Sequence, residues 1–423
     1  MKKILFNAFI SLLSLALAAQ TNVVNTTHYS PSLDQEKPVK IYLPPDYYNS
    51  PTEHYPVIYF LHGATGDQNS YPTVISRTQL MINNGTIHPV IVVFANGACP
   101  PYWGSMYANS ELYGNYEDYI VFDLVDFIDT TIRTITDPQY RCITGHSMGG
   151  GGAAKMAIKH PERYRGFASH AGVMNIDTTM AIWQTLVLQE NGGAPPYNYS
   201  WGAGTYTNFL ITAAGAWTPN LNNPPSYVDF PLNSQGEVID NLFIEWKQHD
   251  NCHLVKQIDL TDHLGIFFSC GTNDSHQVYS SNELFRDTLD MLGLPYRFLT
   301  TAGGHNLSVM MIEAGMKFLD SLMFFEVGTE EKWDITVRSS FHISVKPNPL
   351  YDFATIGLEL LQHEYVYVQI FDIKGHKVVE LHNGYLPAGQ QQFRWHAGDL
   401  PKGMYLCRVQ AGKETRTHKI VKN

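Results

Sequence analysis

A glycine-rich turn around residue 147 constrains the fold more than any other feature of the sequence. Residues 140–144 have the composition of a buried strand, and Gly145-His146-Ser147-Met148-Gly149 follows directly, before a helix that starts with further glycines. The glycines allow a tight strand-to-helix turn, because they remove side chains that would collide with the neighbouring backbone. This order of strand, turn and helix predicts an α/β fold with Ser147 at the carboxyl end of a strand.

Strand and helix patterns alternate on both sides of this turn. Short apolar runs occupy residues 39–43, 56–61 and 89–94, and apolar residues recur at helical spacing through residues 116–134. The alternation resumes in residues 264–270, 278–292, 295–300 and 307–325. Strands buried on both faces and separated by helices predict a mainly parallel sheet with flanking helices.

The remaining segments predict the domain organisation. Residues 1–19 combine two lysines, an apolar run and Ala16-Leu17-Ala18, which is the pattern of a cleaved signal peptide. Residues 20–326 form the predicted main domain. Within it, residues 174–262 show little regular periodicity and are crowded with glycine, proline, asparagine and aromatic residues, which indicates an insertion or cap over the sheet.

A different pattern follows a polar linker at residues 327–340. Residues 341–423 contain short alternating strands, with turn signals at Lys374-Gly375, Asn383-Gly384 and Ala397-Gly398. This pattern predicts a small C-terminal all-β sandwich of antiparallel strands.

Composition excludes several classes of function. The net charge of −11 repels polyanions, so nucleic acid is a poor partner. Beyond residue 19 no stretch approaches ~20 unbroken apolar residues, which argues against a stable membrane span. Five irregularly spaced cysteines argue against a disulfide framework, although a single disulfide is compatible with an exported protein. His249, Asp250, Cys252 and His253 form no metal-binding motif, so we expect no metal and no cofactor.

Ser147 needs a base and an acid that orients the base, because a serine hydroxyl is a weak nucleophile at neutral pH. In this fold the acid and then the histidine follow the serine along the chain. Asp274 follows one predicted strand, and His305 follows the next after two glycines, 31 residues later. This spacing leaves room for one helix and one strand, which brings both loops to adjacent strand ends. Asp250 is the main competing acid, and seventeen other histidines compete with His305.

An oxyanion hole is expected beside the serine. The backbone N–H of Met148 follows the serine directly, and that of Ala64 lies in Leu61-His62-Gly63-Ala64 after a predicted strand. The alternative is that Leu61-His62-Gly63-Ala64 forms an ordinary turn after a strand and that His62 only packs locally. Trp103 and Tyr107 are candidates to line an acyl or sugar pocket, whereas loop aromatics are more often simply half-buried.

These residues together resemble the esterase branch of the α/β-hydrolases, which includes esterase D-like enzymes, feruloyl and acetylxylan esterases and mycolyltransferases. The resemblance covers residues 30–325 and departs from the family at the long insertion. It rests on residues 59–63, 116–119, 145–150, 271–274 and 303–305.

The C-terminal segment resembles the sorting domains of the type IX secretion system of Bacteroidetes, and a sugar-binding β-sandwich is the alternative. This second resemblance rests on residues 347–349, 371–375, 400–405 and 419–421.

The two resemblances imply a serine carboxylic-ester hydrolase that is secreted or attached to the cell surface through the type IX secretion machinery. The implied substrate is a small-molecule or polysaccharide ester, with feruloyl or acetyl groups removed from carbohydrate through an acyl-enzyme. Two alternatives stay open, namely acyl transfer to a sugar or lipid acceptor and a non-catalytic surface binding protein.

Overall fold

The computed structural model describes residues 22–258, 264–324, 341–360, 363–372, 376–411 and 414–423. The predicted signal peptide (1–19) and the predicted linker (327–340) lie outside these residues. The chain divides into two compact units, Met1–Val327 and Gly328–Asn423.

The first unit is built on an eight-stranded sheet with the order β1-β2-β4-β3-β7-β8-β9-β10. The strands are β1 Val23–Ser30, β2 Gln35–Tyr42, β3 Val57–Leu61, β4 Ile91–Ala95, β7 Arg141–His146, β8 Gly166–His170, β9 Gly265–Gly271 and β10 Arg297–Thr301, with the short pair β5 Asn109–Ser110 and β6 Gly114–Asn115 outside the sheet. Strands β4, β3, β7, β8, β9 and β10 pair in parallel, and β1 and β2 add an antiparallel edge. The sequence prediction of a mainly parallel sheet is confirmed.

Helices cover both faces of this sheet. They are α1 Pro72–Asn83, α2 Tyr116–Asp118, α3 Leu124–Thr131, α4 Met148–Lys159, α5 Ile176–Glu190, α6 Thr205–Trp217, α7 Asp240–Lys247, α8 Asn251–Leu254, α9 Tyr279–Leu292 and α10 Val309–Phe324. Strand β3 shows the two-sided burial. Val57, Tyr59 and Leu61 pack with α3, α4 and α9, whereas Ile58 and Phe60 pack with α1 and α10. Period-two alternation with both faces buried explains why this strand is apolar throughout.

The insertion is more regular than its sequence indicates, because helices α5 to α8 all lie within residues 174–262. Helix α6 is the clearest case. Its residues are buried on nearly every side, so it has no polar face and no amphipathic period for sequence analysis to detect. These helices form their own apolar cluster, which includes Met180, Trp183, Leu210 and Trp246.

The second unit consists of two antiparallel sheets around one apolar core. Its strands are β11 Phe341–Lys346, β12 Phe353–Leu360, β13 Glu364–Asp372, β14 Lys377–Leu386, β15 Gly389–His396, β16 Gly403–Ala411 and β17 Glu414–Lys422. The sheet orders are β11-β12-β15 and β14-β13-β16-β17. Ile356 and Trp395 from the first sheet share a core with Val368 and Cys407 from the second. The predicted all-β architecture is therefore confirmed.

One predicted turn in this unit is wrong. Asn383 and Gly384 lie inside strand β14, paired with Tyr367 and Val366 of β13. The Asn383 side chain accepts a hydrogen bond from the Tyr365 hydroxyl at 2.9 Å, so cross-strand contacts override the local turn preference. Ala397-Gly398 does follow the end of β15, and Lys374-Gly375 lies outside the described residues.

Candidate active site

Ser147 occupies the sharp turn between β7 and α4. Its backbone has φ 56° and ψ −121°, a conformation that costs a non-glycine residue energy and that the surrounding structure must hold in place. The Ser147 N–H donates to the His170 carbonyl at 2.8 Å. A Cβ on Gly145 would overlap the Gly149 backbone, and a Cβ on Gly149 would overlap the Leu61 backbone. The two glycines therefore permit the close packing that fixes the serine.

The three residues predicted to act together are brought together at the carboxyl edge of the sheet. The Ser147 Oγ lies 2.8 Å from His305 Nε2, and His305 Nδ1 lies 2.8 Å from Asp274 Oδ2. Asp274 follows β9 and His305 follows β10, and these strands are adjacent and parallel. The side chains therefore form a continuous hydrogen-bonded relay from hydroxyl to imidazole to carboxylate.

The Asp274 carboxylate is fully buried, and hydrogen bonds hold it in its charged form. Burial alone would raise its pKa, but the hydrogen bond and charge of His305, together with the His276 N–H at 2.9 Å, lower the pKa below its ordinary value. The competing acid Asp250 lies elsewhere, where it caps α8 and accepts from the His253 N–H. The structure thus places Asp274, not Asp250, against His305.

The loop after β3 lies beside the serine. A Cβ added to Gly63 would stand 3.3 Å from the Ser147 Cβ, so the loop passes within contact distance of the nucleophile turn. The next residue, Ala64, and Met148 both border the cavity that contains Ser147. Among the described residues, neither the Ala64 nor the Met148 backbone N–H donates to another protein group. Two free amide donors beside a serine hydroxyl can stabilise a negative charge that develops there.

His146 connects three segments of the site through one network that the sequence did not reveal. The Tyr71 hydroxyl accepts from the Gly63 N–H at 3.2 Å and donates to His146 Nδ1 at 2.9 Å. His146 Nε2 donates to the His305 carbonyl at 2.6 Å. Burial and the neighbouring His305 lower the pKa of His146 to about 4, so the ring is neutral at pH 7 with one proton to donate.

His276 was also missed, although it lies only two residues after Asp274. Its ring stands edge-on against His305, with 4.4 Å between ring centroids and 90° between ring planes. This contact restricts rotation of the His305 imidazole. No sequence signal distinguished it from the other histidines of the chain.

Two recesses meet at Ser147 and His305. An apolar cavity, the acyl cavity, extends beneath the insertion and is lined by Met180, Leu210 and Ala213 among others. An open groove of about 290 Å³ lies on the other side and is lined by residues that include Trp103 and Phe209. A site of this shape can hold the acyl part of an ester in one recess and the alcohol part in the other.

Of the two aromatic residues predicted to contact substrate, the structure brings only Trp103 to the groove. The Trp103 carbonyl also accepts from the Thr65 N–H at 2.6 Å, which ties the groove to the Ala64 loop. Tyr107 is instead fully buried, and its hydroxyl donates to the His62 carbonyl at 2.9 Å. Tyr107 therefore supports the Ala64 loop from below and lines neither recess.

The described part of the chain has neither a disulfide nor a cluster of metal-binding side chains. All five cysteines are free thiols. No group of three or more histidine, cysteine or acidic side chains among the described residues has an arrangement suited to a metal ion. None of the described helices is both long and apolar enough to cross a bilayer.

Comparisons with known proteins agree with the fold. Residues 30–306 match the "Putative esterase" family, and residues 344–423 match the secretion system C-terminal sorting domain. A solved ferulic acid esterase structure has a TM-score of 0.52 and 18% identity over 71% of this chain and 98% of its own, which shows a shared fold.

Curated relatives are similar over part of their length. Esterase MT1326 of Mycobacterium tuberculosis is 24% identical over 272 residues, which are 63% of this chain and 52% of the relative. The endo-1,4-beta-xylanase/feruloyl esterase of Xylanibacter ruminicola is 29% identical over 151 residues, which are 34% of this chain and 20% of the relative. The chain thus spans about half, or less, of these relatives. Since the family match covers most of the chain, the protein belongs to this esterase family of α/β-hydrolases and carries a C-terminal sorting domain.

Proposed function

We propose that the protein is an exported serine ester hydrolase that works through Ser147, His305 and Asp274. The observation that carries the proposal is the relay of two 2.8 Å hydrogen bonds that ends on a buried carboxylate. Such a relay raises the nucleophilicity of a serine hydroxyl, because the imidazole can take its proton as the new bond forms.

In the first half of the reaction, Ser147 Oγ attacks the ester carbonyl carbon and its proton passes to His305 Nε2. Asp274 accepts from His305 Nδ1–H and stabilises the imidazolium that forms. The proton then passes from Nε2 to the departing alkoxide, which leaves as an alcohol, and an acyl-enzyme remains. In the second half, the oxygen of a water molecule attacks the acyl carbon while its proton passes to His305 Nε2. The bond from the acyl carbon to Ser147 Oγ then breaks, His305 returns the proton to Oγ, and the acid is released.

The Ala64 and Met148 amides supply the oxyanion hole in this proposal. Both attack steps place a negative charge on the former carbonyl oxygen, and two preorganised N–H donors stabilise that charge without reorganisation. Met148 is the first residue of α4, so the positive end of the helix dipole adds to the same effect.

The proposed substrate is an acyl ester of a carbohydrate, and the proposed route is export by the type IX secretion machinery. The sorting domain supports secretion or cell-surface export. Two proteins named for feruloyl ester hydrolysis are similar to this chain, one in fold and one in part of its sequence. In the open groove, the Trp103 ring offers a surface on which a sugar can stack.

Labelling with a fluorophosphonate tests the proposal directly. The purified protein should be labelled and should turn over 4-nitrophenyl acetate, and Ser147→Ala and His305→Ala should lose both properties. Exposed Ser76→Ala and His54→Ala serve as matched controls and should keep them. A folded wild-type protein that is neither labelled nor active would refute the hydrolase and favour a binding protein. Transfer of the acyl group to added alcohols in preference to water would instead identify an acyltransferase.

A further inference from the structure

The acyl cavity has a definite size. It offers about 60 Å³ between the catalytic residues and the insertion helices α5, α6 and α7, and it is partly open. This space exceeds the roughly 10–15 Å³ that one water molecule needs, so the cavity is larger than a single methyl group requires. The methyl of an acetyl group therefore leaves part of the cavity empty.

Three polar side-chain groups of the wall have partners within the protein. The Thr179 hydroxyl donates to the Asn175 carbonyl at 2.8 Å, and the Trp183 indole N–H donates to the His276 carbonyl at 2.8 Å. The Trp246 indole N–H donates to Thr218 Oγ1 at 3.2 Å. The two indole N–H groups are therefore occupied, and the Thr179 hydroxyl keeps only its acceptor oxygen.

Two further polar atoms of the wall, the Trp217 indole N–H and His276 Nδ1, have no partner among the described residues, and both are buried. The Trp217 ring is held between His249, stacked at 5.2 Å, and Trp246, edge-on at 5.0 Å. A substrate in the cavity therefore meets mainly carbon and sulfur surfaces from Met180, Leu210, Ala213 and their neighbours. A hydroxyl placed against these surfaces would lose its hydrogen bonds to water without replacement.

We propose that the acyl cavity selects unsubstituted hydrocarbon acyl groups longer than acetyl and disfavours feruloyl groups, whose ring carries a hydroxyl and a methoxy group. Met180 on α5 and Ala213 on α6 set the length that fits. This inference rests on the proposed function, since it assigns the acyl half of the same reaction.

The expected chain-length profile follows from burial of methylene groups. With the alcohol fixed as 4-nitrophenol, kcat/KM should rise about fourfold for each methylene added to acetyl, the ratio that corresponds to ~0.8 kcal/mol per buried methylene. Butyrate should therefore exceed acetate about fifteenfold. The value should stop rising when the chain exceeds the cavity, and feruloyl esters should lie below butyrate.

Two substitutions move this profile in opposite directions. Ala213→Leu adds three carbon atoms to the wall and should shift the optimum to shorter acyl chains than in the wild type. Met180→Ala removes three non-hydrogen atoms and should shift it to longer ones. Ala181→Leu, at an exposed position of α5, is the matched control and should keep the wild-type profile. A pair of opposite shifts cannot arise from general destabilisation.

The outcomes separate this inference from the proposed function. Labelled, active protein that prefers acetate or feruloyl esters overturns the inference and leaves the hydrolase in place. Variants that change activity without moving the optimum also overturn it. Absence of both labelling and turnover with every ester overturns the hydrolase and the inference together.

Discussion

Replacement of Tyr71 by phenylalanine tests the network that joins the Ala64 loop, the serine turn and the His305 loop. The change removes only a hydroxyl, which accepts from the Gly63 N–H at 3.2 Å and donates to His146 Nδ1 at 2.9 Å. A buried group left without its partner costs about 1–3 kcal/mol. Tyr71 borders the open groove, so water can partly replace the hydroxyl. We therefore use the low end of this range for each of the two groups that lose a partner, the Gly63 N–H and His146 Nδ1. The free energy of unfolding should fall by about 2 kcal/mol.

The effect on activity should be larger in kcat than in KM. The Gly63 N–H fixes the loop that presents the Ala64 amide, and that amide bonds strongly only to the charged oxygen of the transition state. Loss of a whole oxyanion donor costs about 10²–10³ in kcat, so a displaced donor should cost about tenfold. Urea unfolding and initial rates with 4-nitrophenyl butyrate measure the two effects.

Tyr199→Phe is the control, because its hydroxyl donates to the Asn233 carbonyl in the insertion and lines neither recess. This variant should lose a comparable or smaller amount of stability and keep wild-type kcat. The reasoning fails if Tyr71→Phe keeps full kcat, or if both variants lose the same activity.

Three further predictions concern the same domain. Asp274→Asn should lower kcat by about 10³–10⁴ with little change in circular dichroism, because the amide favours the wrong imidazole tautomer. Gly149→Ala should prevent correct folding, since its Cβ would overlap strand β3, whereas Gly293→Ala, at φ 68° in open space, should cost only about 1 kcal/mol in urea unfolding. His62 and His146 each have a pKa lowered to about 4 by burial, so the unfolded chain binds more protons between pH 6.5 and 4. Stability should therefore fall on acidification through this window, by about 2 kcal/mol per histidine at pH 5.

Local sequence patterns were sufficient to predict the elements around the serine. The order of strands and helices, the turn at Ser147 and the helix that ends at Gly293 all depend on short-range signals. Gly293 has φ 68°, a conformation that glycine adopts without strain, which is why the end of α9 could be placed within a residue. The proximity of His305 and Asp274 could be predicted because parallel neighbouring strands end at the same edge of the sheet.

The insertion shows where such signals fail. Helix α6 is buried on nearly all sides, so its sequence carries no amphipathic pattern, and the acyl cavity that it lines had no counterpart in the prediction. The prediction that Tyr107 contacts substrate fails for a related reason. A tyrosine side chain suits a pocket wall as well as a core, and only its packing against the Ala64 loop decides between the two.

The sequence by itself therefore determined the α/β architecture, the separate β-rich C-terminal unit and the candidate residues Ser147, Asp274 and His305. Periodicity, glycine positions and chain order are local properties, and they survive in a single sequence. Tertiary structure alone decided which histidines surround His305, how Tyr71 joins three loops, and what size and polarity the acyl cavity has. Those features arise from contacts between residues far apart in the chain, and no local pattern encodes the distance between them.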